Sequence, residues 1–201
     1  MADLELTKQN IFEYQLSGTT CNIVFQFNSH LVCLSVGDSR GILVYDQGNN
    51  LNQGIFPLST DQKPDLPSEY QRIQSCGGYV EILYDAYGNK TGPARVFKSG
   101  SQYPGLAMSR SLGDLMAKEC GVISIPQITE YEINANTKYM VICYDGIWEF
   151  MNNEQVRDLG NVFYAQNKVN DFCIQLVNFA MNLWSQKQII RDDITVVSVF
   201  F

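Results

Sequence analysis

The stretch YMVICYDGIWEF, Tyr139 to Phe150, decides how the rest of the chain is read. Its first half, YMVICY (139–144), is a continuous apolar run of strand length, the pattern of a strand covered on both faces. Its second half turns polar, with Asp145 and Gly146 followed by Trp148 and Glu149. If DGIWE begins a helical turn, Asp145 and Glu149 share a face, and Gly146 lets the backbone come close to a ligand. A strand built for a core thus ends by delivering carboxylates.

Working outward, CNIVFQF (21–27) and LVCLSVG (31–37) read as a hairpin through FNSH, and GILVY (41–45) extends them to a three-strand meander. ITVVSVF (194–200) is a second continuous apolar run. Helices are expected at DLPSEYQRIQSCGG (65–78), with Asp65 as N-cap, Pro67 in the first turn and a Gly-Gly stop, and at NNEQVRDLG (152–160). A third, VNDFCIQLVNFAMNLW (169–184), carries Phe172, Leu176, Phe179 and Leu183 on one core-facing stripe. Residues 84–105, rich in glycine with two prolines, read as an excursion from the body. Strands and helices that do not alternate regularly imply an α+β fold, with antiparallel sheets covered by helices.

Acids mark the strand ends. Asp38 follows LVCLSVG, Asp145 follows YMVICY, and Asp192-Asp193 precede ITVVSVF. If the last strand runs antiparallel to the other two, its start lies on the sheet edge where theirs end, and the carboxylates converge. Clustered carboxylates repel one another, and raised pKa values or bound cations relieve this. Oxygen-only ligation selects Mg²⁺ or Mn²⁺, and two such ions with a bound water suit hydrolysis of a phosphate ester. An aspartate at a strand end also serves as turn former or helix cap, so spacing leaves both readings open.

The 201 residues, 45% hydrophobic, fit a single domain spanning 1–201. A formal charge of −7 and a pI near 4.6 argue against nucleic acid or anionic membrane as partner. The six cysteines are widely spaced, with no CxxC pair and no histidine to complete a zinc set, and read as reduced. No apolar stretch is long enough to span a bilayer and MADLELTKQN lacks signal-peptide character, so no membrane insertion and an intracellular, cytoplasmic location are expected.

In chain order the segments SGTT (17–20), VGDSRGIL (36–43), DQKPDLPSEYQRIQSCGGYV (61–80), GPARVF (92–97), PGLAMSRSLGD (104–114), GVISIPQIT (121–129), VICYDGIWEFMNNEQV (141–156) and RDDITVV (191–197) resemble the protein phosphatase 2C family, the metal-dependent protein serine/threonine phosphatases. The resemblance covers nearly everything from Ser17 to Phe201. It implies an antiparallel β-sandwich flanked by helices on both faces and hydrolysis of phosphoserine and phosphothreonine in a phosphoprotein substrate. It implies a pair of Mg or Mn ions, with a third more loosely held. Asp145 and Asp192 match the aspartates that bind the metal pair, and Asp38 matches an acid of the third site. Glu149 stands where the family often has aspartate. Residues 77–105 correspond to the flap beside the active site.

The departures carry expectations of their own. The family's phosphate-binding arginine, an early acidic ligand and a DGHGG-like segment lie upstream of SGTT and are not in this sequence, and the lone histidine, His30, reads as a surface turn residue. Gln62 stands where the family commonly has histidine, and Asp193 where asparagine usually follows the metal aspartate. An N-terminally incomplete domain is expected to lose most turnover and to expose sheet edges. The alternative is a catalytically inactive phosphatase-like module whose exposed sheet edge is covered by a protein partner. Of the remaining candidates, Arg110 reads as a structural ion-pair residue, Thr19 and Thr20 as backbone hydrogen-bonders, and Trp148 and Trp184 as core anchors.

Overall fold

The computed structural model describes residues 2–8, 14–47, 53–187 and 192–201. The helices are α1 (Ala2–Lys8), α2 (Pro67–Ser75), α3 (Leu115–Lys118), α4 (Asp145–Trp148), α5 (Asn153–Tyr164) and α6 (Val169–Lys187). The strands are β1 (Gly18–Thr19), β2 (Cys21–Phe27), β3 (His30–Val36), β4 (Arg40–Asp46), β5 (Gln53–Pro57), β6 (Gly78–Glu81), β7 (Arg95–Lys98), β8 (Pro104–Leu106), β9 (Leu112–Gly113), β10 (Gln127–Glu132), β11 (Thr137–Cys143) and β12 (Val196–Phe200). The chain forms two compact units interleaved along the sequence. One comprises Met1–Cys21, Ser35–Asp38 and Asp61–Gln127, the other Asn22–Leu34, Ser39–Thr60 and Ile128–Phe201.

The second unit is a sandwich with a helical layer. Its sheets run β10-β3-β2 and β12-β11-β4-β5. They meet across Leu31 and Cys33 of β3, Leu43 of β4 and Met140 of β11. On the other face of the four-stranded sheet, Ile42, Val44, Tyr139 and Val141 pack on Ile147, Val156, Phe172 and Leu176 of α4, α5 and α6. The two central strands are therefore covered on both sides, which is why GILVY and YMVICY carry unbroken apolar runs. Ile42, Leu43 and Val44 are all 0% exposed, and each such burial stabilises by roughly 1.5–3 kcal/mol. The Tyr139 hydroxyl crosses this core to donate to the Arg157 carbonyl at 2.7 Å, so the one polar atom the ring takes inside is paired.

The expected hairpin forms, with β2 and β3 neighbours joined through Asn28 at φ 54 and Ser29. The expected meander does not. Gly37, at φ 98, turns the chain after β3, and β4 joins the other sheet between β11 and β5. Its apolar side chains on both faces need two covers, which the middle of a flanked sheet supplies and a third meander strand would lack.

The first unit holds the sheet β6-β7-β8, the pair β1-β9, and α1 to α3. Its core is Ile73, Val96, Ala117, Cys120 and Val122. The excursion expected from 84–105 is thus partly strand, paired Val80↔Val96 and Val96↔Leu106. Its strands are too short to show a period among the turn residues. Helix α2 starts with Leu66 as N-cap and no side-chain cap, so Pro67 opens the helix as expected but Asp65 does not cap it. No helix among the described residues is long and apolar enough to cross a membrane.

Candidate active site

Strand β11 runs antiparallel to β12, with Cys143 opposite Val196. The end of one strand therefore lies beside the start of the other, as the acid spacing required for Asp145 and Asp192. Strand β3 belongs to the other sheet, so the shared-edge argument does not extend to Asp38.

Beyond Cys143 the chain leaves the ladder at Tyr144, whose extended backbone (φ −71, ψ 163) caps α4. Tyr144 N still donates to the Thr195 carbonyl at 3.1 Å, holding the two strand ends together to their last residue. Asp145 opens α4, where the free N–H groups of a first turn favour a carboxylate. Glu149 N donates to the Asp145 carbonyl at 2.9 Å, placing the second carboxylate one turn on, as the spacing predicts. Asp145 is half-buried and Glu149 exposed.

The neighbouring turn sits against this one. A Cβ on Gly146 would stand 2.3 Å from the Asp193 carbonyl oxygen, so only glycine admits the approach. Asp192 and Asp193 are exposed, and the Asp192 carboxylate accepts from Asp193 N at 2.8 Å, which orders the turn. Asp192, Asp193 and Ile194 line a pocket with Val177 and Met181 of α6.

Both tryptophans are core anchors with a polar duty. Trp148 is 9% and Trp184 8% exposed. Trp148 Nε1 donates to the Cys143 carbonyl at 3.0 Å and Trp184 Nε1 to the Gly146 carbonyl at 2.9 Å, one on each side of Asp145. The Arg40 guanidinium lies 4.8 Å over the Trp148 ring and donates to Asn153 Oδ1 at 2.9 Å. Burial pushes the Cys143 thiol well above the usual range, so it is a packing residue.

Asp38 lies in the first unit, 4% exposed, and its Oδ2 accepts a hydrogen bond from Lys63 Nζ. Its turn is clasped to the turn at 61–63. Gly37 N donates to Gln62 Oε1 at 2.7 Å, Gln62 N to the Gly37 carbonyl at 3.0 Å, and Gln62 Nε2 to the Ser35 carbonyl at 3.1 Å. Lys63 was not singled out by spacing; its position in DQKP, two residues from Asp61, was the only available signal. Arg110 donates to Glu69 at 2.7 Å, the structural ion pair expected of it, and His30 is exposed at the start of β3.

The donors are all carboxylate oxygens, the chemistry of a hard cation that keeps several waters and takes one or two protein ligands. Among the described residues no three His, Cys, Asp or Glu side chains stand together as a metal-binding group. Carboxylate oxygens alone would suit a partially hydrated Mg²⁺ or Mn²⁺ and would not suit a closed structural site of cysteine and histidine ligands.

A family model described as Protein phosphatase 2C matches residues 2–189. "Probable protein phosphatase 2C 48" of Oryza sativa subsp. japonica is 33% identical over 99% of this chain and 56% of its own length. "Probable protein phosphatase 2C 34" of Arabidopsis thaliana is 33% identical over 99% of this chain and 54% of its own. The chain thus spans little more than half the length of these relatives. Among solved structures, the serine-threonine phosphatase 2C from Toxoplasma gondii superimposes with a TM-score of 0.84 over 99% of this chain and 63% of that one, at 22% identity, a likeness of fold.

Proposed function

Since this chain belongs to the protein phosphatase 2C family, we propose that it acts in Mg²⁺- or Mn²⁺-dependent hydrolysis of phosphoserine and phosphothreonine in proteins. The supporting observation is the abutment of the two strand junctions, with Gly146 against the Asp193 carbonyl. It sets Asp145 and Asp192 on neighbouring turns. When bound, the ions supply an ionised water and offset charge on the phosphoryl oxygens.

The chain's own residues hold and orient. Asp145 and Asp192 would anchor the cations, and Glu149, one turn on, would support them or their waters. Trp148 and Trp184 fix the backbone on both sides of Asp145, so its carboxylate is placed before any ligand arrives. Asp38, in the first unit, would hold a third, looser ion, and residues 77–105 would serve as the flap that selects the phosphoprotein substrate. The 201-residue chain is to be assayed with Mn²⁺ on a phosphothreonine peptide beside its Asp145→Asn variant. Metal-dependent phosphate release that falls at least about 100-fold in the variant is expected. No release at any metal concentration would sink catalysis by this chain alone.

One observation favours a second reading, an inactive module with a protein partner. Strand β2 is an edge strand without a charge, and Phe25 and Phe27 are 57% and 74% exposed on it. Such an edge is a template for pairing with another chain. Under this reading the peptide assay is silent while a partner covers β2.

A further inference from the structure

Asp38 is the carboxylate for which the family likeness implies a loosely bound ion, and it already faces a cation. Lys63 Nζ bonds its Oδ2. The Asp38 side chain is 5% exposed and that of Lys63 32%, so the acid is inside and the lysine side chain is partly open to solvent. A carboxylate this buried is costly without a countercharge, and removing its partner leaves the penalty uncompensated.

The lysine is not there by chance rotamer. Gln62, 3% exposed, is tied by backbone and side chain to Gly37 and by side chain to Ser35, the residues that lead into Asp38. Lys63 N donates to the Asp61 carbonyl at 3.0 Å and Leu66 N to the Lys63 carbonyl at 3.2 Å, which fixes the next residue's backbone. Pro64 then limits the conformations Lys63 can adopt. The two turns therefore carry the ammonium and the carboxylate to one another as a preformed pair.

We propose that Lys63 is the resident cation of Asp38, and that a divalent ion binds there only by displacing the Lys63 ammonium. This rests on Asp38 being able to hold an ion at all, the reading advanced above. With the lysine in place the carboxylate is neutralised, and an incoming ion meets a like charge at close range. With the lysine swung out through its solvent side, the same carboxylate offers a full negative charge. Lys63 thus sets the affinity of the Asp38 ion without being its ligand.

The test is Mn²⁺ binding to the 201-residue chain by calorimetry, with melting temperature followed against Mn²⁺. Variants are Lys63→Met, Lys63→Arg, Asp38→Asn and the Lys63→Met/Asp38→Asn pair. Lys63→Met is expected to bind the Asp38-dependent ion at least about tenfold more tightly than the parent and to gain more in melting temperature from Mn²⁺. Lys63→Arg, which keeps the charge, stays like the parent, and the double variant loses the tightened site. Equal affinity and stoichiometry in the parent and Lys63→Met overturn the proposal, as does a tightened site that survives Asp38→Asn. If Lys63→Met does not fold, Lys63→Gln carries the same expectation and the same overturning outcome. Loss of every Mn²⁺ site in the parent and in Asp38→Asn, with a site gained in Lys63→Met, would sink the metal-dependent activity but leave Lys63 in its role. An Asp38-dependent ion of unchanged affinity would do the reverse.

Discussion

Trp184 Nε1 donates a 2.9 Å hydrogen bond to the carbonyl of Gly146, fastening the long helix α6 to the first turn of α4 one residue past Asp145. The bond spans 38 positions of sequence and is buried. It converts the packing of α6 on the sheet into a positional constraint on a carboxylate, because that carbonyl belongs to the residue that follows Asp145. The ring that donates also meets Phe150 edge-on at 4.9 Å, a second contact between α6 and the segment that follows α4.

Replacing this donor is a direct probe. Trp184→Phe keeps an aromatic ring in the core and leaves the Gly146 carbonyl buried without its donor, which costs roughly 1–3 kcal/mol in addition to lost packing. Thermal unfolding should move to lower temperature, and Mn²⁺ binding attributable to Asp145 should weaken with it. A variant that is destabilised yet binds Mn²⁺ like the parent would limit Trp184 to packing.

Gly146 admits a sharper change. A methyl there would stand 2.3 Å from the Asp193 carbonyl oxygen and 3.2 Å from Ile194 Cγ1, and the first of these is backbone with little freedom to yield. Gly146→Ala should push the 192–194 segment away from α4 at a cost of about 1–3 kcal/mol. It should reduce Mn²⁺ affinity as strongly as Asp145→Asn does, although it alters no ligand. An unchanged affinity would mean that the abutment of the two turns does not hold Asp192 in place.

Helix α5 supplies a contrast in which stability changes and the site does not. Asn152 accepts from Gln155 N at 2.8 Å while Asn152 N donates to Gln155 Oε1 at 2.9 Å, a reciprocal capping box. Asn152→Ala should cost about 1 kcal/mol, read as a lower urea midpoint with Mn²⁺ binding retained. Loss of binding in step with stability would place α5 closer to the site's function than its packing role does.

The legibility of this architecture in the sequence follows from where each element lies. Strands β4 and β11 were readable because a strand covered on both faces cannot alternate, and Gly146 and Asp145 marked the end of one of them. The partnership of β4 was not readable. It depends on which sheet offers two covers, and the short turn after Gly37 is compatible with either sheet. Strands β6, β7 and β8 escaped because four or fewer residues show no period amid glycine and proline. The nearness of the end of β11 to the start of β12 followed from antiparallel pairing alone, whereas the meeting of Asp38 with Lys63 required a clasp made by Gln62 side-chain bonds that no spacing reveals.

The first unit offers a prediction in pH. Burial alone would raise the Glu69 carboxyl, but hydrogen bonds from Arg110, Arg72 and Ser109 outweigh it and bring it from an ordinary 4.5 down to about 2. Glu69 is 3% exposed, and its oxygens accept from Arg110 at 2.7 Å, Arg72 at 2.8 Å and Ser109 at 2.6 Å, joining α2 to the chain at 109–110. A carboxyl depressed on folding stabilises the native state above its unfolded value. That contribution is whole above about pH 4.5, declines below it, and is gone once pH falls through about 2, with a ceiling on the order of 3 kcal/mol. Glu69→Gln should therefore lie well below the parent in urea midpoint at pH 7, with the gap narrowing between pH 4.5 and pH 2 as the parent loses what the variant never had. A gap that stays constant across that interval would show that Glu69 contributes through shape and not through its charge.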